Sequence, residues 1–184
     1  MSKQESDINL DLFYSNLHAY VKEGYSFEYR TLYVSDVEEF EMNKALRALS
    51  IMDTQDGDIH IVVNSFGGSV YDGLALYDKI RNCKNKVITY NQGKVMSMGL
   101  ILFVAGDVRN MSEHSTAMAH SVSSGTWGKV AEMENNVKET KRLNSLLVDI
   151  LADRTKKTKA FWENEIKHED KFYNKAMCKK LGII

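Results

Sequence analysis

The sequence predicts one α/β domain assembled from repeated strand–helix units. Three observations predict it. Runs rich in β-branched residues alternate with amphipathic stretches between Thr31 and Ala119. Glycines stand at the turns that join strand to helix, at Gly67-Gly68 and at Gly93. From Lys129 to about Asp153 there is no glycine, and one apolar stripe runs through many charges. Strand–helix–strand connections of this kind are right-handed crossovers in nearly all parallel sheets.

The elements follow in order. Leu10, Phe13, Tyr14, Leu17, Tyr20 and Val21 recur at helical spacing, and Gly24 marks the end of that helix. Thr31-Leu32-Tyr33-Val34 reads as a short strand. Ser35 and Glu38 have the spacing of a capping box ahead of a helix with Met42, Ala45, Leu46 and Leu49 on one face. Asp58 to Val63 reads as a buried strand, and the helix after Gly67-Gly68 carries Val70, Leu74, Tyr77 and Ile80. Lys86 to Tyr90 is the next strand, followed by an apolar helix from about Ser97 to Val104 and short strands near Val108–Met111 and Thr116–Ala119. The long helix places Val130, Met133, Val137, Leu143, Leu147 and Leu151 on its stripe. A helix of that length in a small domain projects, and its stripe needs a partner.

Composition narrows the function. In 184 residues, 24 Lys and Arg face 25 Asp and Glu. This balance lacks the basic excess that neutralises phosphates, so a dedicated nucleic-acid binder is not expected. The longest apolar run, Met98 to Ala105, falls far short of the roughly 20 residues that span a bilayer. The amino-terminal residues have no signal-peptide pattern. Cys83 and Cys178 lie far apart in no metal-ligand spacing and read as free thiols. A cytoplasmic protein with no membrane association, no metal and no cofactor is expected. Proline is absent, so turns rest on Gly, Asn, Asp and Ser.

Two junctions can carry chemistry. Ser97, in Gly93-Lys94-Val95-Met96-Ser97-Met98-Gly99, stands where a strand meets a helix, and free N–H groups and the helix dipole there favour negative charge. The run approaches a nucleophile elbow, with Val95 in place of the first glycine. By itself, a serine at a helix start is most often an N-cap. Asn64-Ser65-Phe66-Gly67-Gly68 is the second junction, where adjacent glycines let the backbone aim N–H groups as an oxyanion hole requires. Among five histidines, His120 ends a short strand. His18 and His60 lie within a helix and a strand, and His114 and His168 lie in polar surroundings. Many acids are available to orient an imidazole, and Asp170, just before Phe172 and Tyr173, is one of them.

Four segments together resemble the proteolytic subunit of the ATP-dependent Clp protease: VVNSFGGSVYDGLALY from Val62 to Tyr77, GKVMSMG from Gly93 to Gly99, Met118-Ala119-His120, and Asp170-Lys171-Phe172 followed by Ala176 and Leu181-Gly182. Their order and spacing hold from about Arg30 to Ile184. The resemblance implies a crotonase-like fold of repeated ββα units with a projecting helical handle, here the 129–153 helix. It divides the chain into a divergent helical segment, residues 1–29, and a peptidase domain, residues 30–184.

The same resemblance implies a serine endopeptidase with Ser97 as nucleophile, His120 as general base and Asp170 as orienting acid. Gly68 and Met98 would supply the oxyanion hole. It implies two stacked heptameric rings of identical subunits enclosing the active sites, docking of a hexameric AAA+ Clp ATPase, and unfolded proteins or peptides as substrates. The chain departs from the family where Phe66 replaces proline, where Val95 and Met96 replace small residues, and where Ser121-Val122 replaces glutamine-proline. Related readings are a catalytically silent subunit of a mixed ring, a signal-peptide-degrading or phage head-maturation peptidase, and a crotonase-type acyl-CoA enzyme. Retention of all three triad positions favours peptide hydrolysis.

Overall fold

The structure, a computed structural model, describes residues 19–184. The helix expected from Leu10 therefore lies outside the described residues, apart from a wide helical turn at Ala19–Glu23 that ends at Gly24. Among the described residues one sheet contains β1 (Tyr25–Ser26), β2 (Thr31–Val37), β3 (Ile59–Gly68), β4 (Val87–Met96), β5 (Val108–Met111), β6 (Thr116–Ala119) and β7 (Lys171–Tyr173). The helices are α1 (Glu39–Met52), α2 (Val70–Arg81), α3 (Met98–Ala105), α4 (Val130–Arg154), α5 (Lys159–Glu165) and α6 (Lys175–Leu181). The strand order is β1-β2-β3-β4-β6-β7, with β5 beside β4. From β2 to β6 the pairings are parallel, and β1 and β7 run antiparallel at the two ends. This is the mixed α/β architecture with a projecting helix that the sequence implies.

The core follows from the apolar runs. Ile59, Ile61, Val62 and Val63 of β3 are all buried, as expected of a strand covered on both faces. All eight residues of α3 are buried, so it is apolar all round and has no solvent face. It packs against β3 and β4 and between α2 and α4. Each large side chain it withdraws from water contributes about 1.5–3 kcal/mol.

Two strands run further than their apolar stretches predict. The sequence ends them at Val63 and Tyr90, whereas β3 reaches Gly68 and β4 reaches Met96. A buried asparagine explains the second extension. β4 pairs with β5 up to Asn91↔Met111 and with β6 from Lys94↔Thr116. At that switch Asn91 Nδ2 donates to Thr116 O (3.1 Å) and Asn91 Oδ1 accepts from Gly93 N–H (3.1 Å). Ser115 Oγ donates to Asn91 O at 3.0 Å. These bonds satisfy the backbone where the ladder changes partner, so the strand continues instead of ending.

The capping box expected at Ser35 and Glu38 does not form. Pairing of β2 with β3 continues through Asp36↔Gly67 and Val37↔Gly68, which keeps Ser35 inside the strand. Glu38 becomes the N-cap of α1 with no side-chain cap bond, and Glu39 and Glu41 place negative charge in the first turn instead.

The long helix spans 25 residues, about 37 Å at 1.5 Å per residue. Its two halves differ. Val130 and Val137 are exposed, whereas Leu143, Val148, Ile150 and Leu151 are buried in the core. Beyond α4 the chain is pinned back by arginines. Arg154 donates to Val104 O and Gly106 O, and Arg109 to Arg154 O (2.7 Å) and Ile183 O (3.1 Å). These bonds fasten the chain after α6, and pairing of β7 with β6 holds Asp170 at the end of the sheet.

Candidate active site

The extended ends of β3 and β4 run side by side, with Ser65 opposite Val95, and each leads into a helix. At the end of β4, Ser97 takes φ +52° and ψ −125°. Only Arg30 shares a positive φ among the described non-glycine residues. Such a conformation costs on the order of 1–3 kcal/mol and must be held by its surroundings. Ser97 N–H donates to Met118 O on β6 (3.0 Å), and Ser97 O accepts from Leu100 N–H (3.0 Å) in the first turn of α3.

Glycines on neighbouring elements make the room. A Cβ at Gly67 would stand 2.7 Å from Ser97 Cβ, 2.9 Å from Met96 O and 3.1 Å from Met98 N. One at Gly99 would stand 3.0 Å from Ser65 Cβ, and one at Gly73 would run into the Met98 side chain. The elbow is therefore formed with Val95, fully buried, in the first glycine position of the usual motif. The space that motif gains from its own glycine comes here from Gly67 across the ladder.

His120 follows β6, whose Met118 is level with Met96. That register carries its imidazole to Ser97, with Nε2 2.8 Å from Oγ. Asp170 directly precedes β7, and the antiparallel pair Ala119↔Lys171 brings it beside His120. Nδ1 and Asp170 Oδ1 are 3.7 Å apart, within ion-pair range but beyond a hydrogen bond. Asp170 is 58 % exposed and His120 24 %. The other described histidines are placed elsewhere: His60 Nδ1 meets Tyr90 Oη at 3.0 Å, and His114 and His168 are exposed. His18 lies outside the described residues.

Ser97, His120 and Gly68 open together onto a cavity of about 260 Å³. Phe66, Gly68 and Val70 form one wall, and Met118, His120, Val122 and Ser123 the other. Leu100 and Ile101 of α3, Leu147 and Leu151 of α4 and Ile166 close it with apolar surface. Met98 opens α3, where the first N–H groups of a helix have no intrahelical acceptor. Phe66 is largely exposed at the rim, with Lys94 Nζ 4.1 Å from its ring centre.

Sequence reasoning missed the cavity wall supplied by Leu147 and Leu151, since it read the helical stripe as a face in need of a partner and not as part of a site. It also missed Asn144, whose Oδ1 accepts from Val122 N–H at 2.9 Å. Polar residues one or two turns before an apolar stripe residue are the only trace such a contact leaves in sequence. Among the described residues no group of three or more His, Cys, Asp or Glu is placed to hold a metal ion. Nor, among them, is any helix long and apolar enough to cross a membrane.

Comparison with known proteins addresses the family of the chain. The family model for Clp protease matches residues 24–184. The chain is 37% identical over 131 residues to the ATP-dependent Clp protease proteolytic subunit of Deinococcus radiodurans, a match that covers 68% of this chain and 64% of that relative. The chain thus spans just under two thirds of the length of the curated relative it matches. On the family match and on this identity, the chain belongs to the Clp protease family.

Proposed function

We propose that the chain is a serine endopeptidase subunit that hydrolyses unfolded polypeptides or short peptides inside an oligomeric chamber. One observation carries the reading: a strained Ser97 with its Oγ 2.8 Å from His120 Nε2, at the mouth of an apolar cavity. A serine hydroxyl is a weak nucleophile until a base removes its proton, and that distance allows direct transfer.

In the proposed reaction Ser97 Oγ attacks the peptide carbonyl carbon while His120 Nε2 takes its proton. The carbonyl oxygen becomes an oxyanion held by the N–H groups of Gly68 and Met98, a stabilisation for which loss of one donor costs ~3 kcal/mol. Collapse of the intermediate breaks the C–N bond, and the imidazolium returns the proton to the leaving amine. Water, deprotonated by His120, then attacks the ester; the bond from the acyl carbon to Ser97 Oγ breaks, and the imidazolium returns its proton to that oxygen. Asp170 orients the imidazole and stabilises its cationic form. The apolar lining suits a hydrophobic side chain beside the scissile bond.

Stacked rings built through α4, with a Clp ATPase feeding substrate in the cytoplasm, complete the proposal. The exposed apolar residues Val130 and Val137, with half-buried Met133 between them, on the amino-terminal half of α4 support a subunit contact there. A second reading, a catalytically silent subunit, draws on the 3.7 Å separation of His120 from Asp170. Catalytic hydrogen bonds are often loose before substrate binds. The test is hydrolysis of a fluorogenic peptide by the purified protein, with Ser97→Ala as control and particle mass measured on the same sample. Activity lost in the variant from a ring-sized particle supports the peptidase. A ring-sized particle inactive towards peptide, alone and with a Clp ATPase, supports the silent subunit.

A further inference from the structure

Both walls of the cavity are tied to the same helix. One wall begins with Gly68 and Val70 and continues into α2, where Tyr71 Oη donates to Glu139 Oε1 on α4 at 2.7 Å. Arg142, on the same helix, grips Glu139 through both oxygens at 2.7 and 2.8 Å. That guanidinium, and then the Tyr71 hydroxyl, hold the Glu139 carboxyl down to about 2. The opposite wall is the irregular segment after His120. It runs back along α4 and is fastened three times. Val122 N–H donates to Asn144 Oδ1 (2.9 Å), Ser124 Oγ meets Thr140 Oγ1 (2.9 Å), and Asn136 Nδ2 donates to Thr126 Oγ1 (2.8 Å).

We propose that Asn144 and Glu139 are positioning residues that set the width of the substrate cleft, α4 acting as a spacer between its walls. The inference rests on the peptidase reading. Neither residue lines the cavity, so each acts through another. The segment from Ser121 to Lys129 has no regular structure of its own, and no β-ladder fixes its distance from Gly68. Asn144 is the link nearest the site, because Val122 and Ser123 line the cavity. Its amide oxygen holds a backbone N–H that is otherwise free to swing with the segment. Tyr71–Glu139 does the same for the other wall at longer range. A peptide must touch both walls at once, whereas a small reagent needs only Ser97 and His120.

That distinction supplies the test. Peptide kcat and KM are measured beside the rate at which diisopropyl fluorophosphate modifies Ser97, in wild type, Asn144→Ala, Asn144→Asp and Tyr71→Phe, with particle mass recorded for each. Asn144→Ala is expected to raise peptide KM about tenfold while phosphorylation of Ser97 changes by no more than about twofold. Asn144→Asp retains the acceptor oxygen and is expected to restore KM. Tyr71→Phe removes one hydroxyl from an exposed position, and is expected to raise KM about threefold without altering assembly. Parallel loss of peptide turnover and Ser97 phosphorylation, or no change in either, overturns the spacer role while leaving the peptidase reading intact. Failure of wild type to react with either reagent overturns both.

Discussion

Two turns of this molecule perform the same topological task in opposite ways. After β3 and after β4 the chain leaves a parallel strand and enters a helix, at neighbouring points of one sheet. At the first turn Gly67 and Gly68 take φ +105° and +146°, values at which an L side chain is strained. At the second, Ser97 takes a positive φ with its side chain in place. The first turn gives up side chains so that the second can keep one. Strain at Ser97 and emptiness at Gly67 are two sides of a single contact, since a Cβ on one would strike the Cβ of the other. A side chain held in this way at the end of the strand faces the cavity and not the core.

The contrast can be broken from either side. The largest effect is expected for Ser97→Ala, which should lower peptide kcat by about 10³–10⁶-fold with the fold retained, as judged by circular dichroism and particle mass. Gly67→Ala forces the elbow to move and should reduce kcat/KM about 100-fold although no reacting atom is removed. The matched change at Gly125, which has open space around it, should leave kcat/KM unchanged.

A control away from both turns sharpens the comparison. Asp53 lies at the end of α1 and holds the approach to β4, accepting from Lys84 N–H (2.9 Å), Asn85 N–H (3.2 Å) and Lys79 Nζ (3.3 Å). Burial by itself pushes its carboxyl up, but these donors outweigh burial and hold it below the usual range. The folded state therefore prefers the carboxylate. Its contribution is complete above about pH 4, the unfolded carboxyl's range, and is lost as pH falls through the lower folded value. Asp53→Asn should cost roughly 1.5–3 kcal/mol at pH 7 in urea unfolding. The gap to wild type should narrow below about pH 4, with Ser97 reactivity unchanged throughout. The smallest effect is the most diagnostic of strain. Ser97→Gly should be about 1 kcal/mol more stable than Ser97→Ala in the same unfolding experiment, because only glycine relaxes at φ +52°.

How much of this is legible in sequence depends on whether the cause is local. Strands β5 and β6 lie where the sequence reading places them, and α4 begins and ends within a residue of its predicted bounds, Lys129 and Asp153. The Ser97–His120 approach is reached only through the register of β4 with β6, a long-range fact. The sequence supplies candidates for it, and the family resemblance selects among them. Capping failed at Ser35 because pairing with β3 overrode a local hydrogen-bond preference. Local signals also mark the two short helices near the end of the chain. Thr158 and Asn174 cap α5 and α6 by accepting from Phe161 N–H and Met177 N–H, and Gly182 closes α6 at φ +75°. The width of the cleft was not readable, because Asn144 and Glu139 meet partners whose place depends on the whole fold.

The central claim, that Ser97 is a nucleophile activated by His120, is tested most directly by mass spectrometry of the protein after reaction with a fluorophosphonate. The account predicts one adduct per chain, mapped to Ser97, and its near absence in His120→Ala. An adduct on another residue, or equal labelling of Ser97 in the His120→Ala variant, would contradict it.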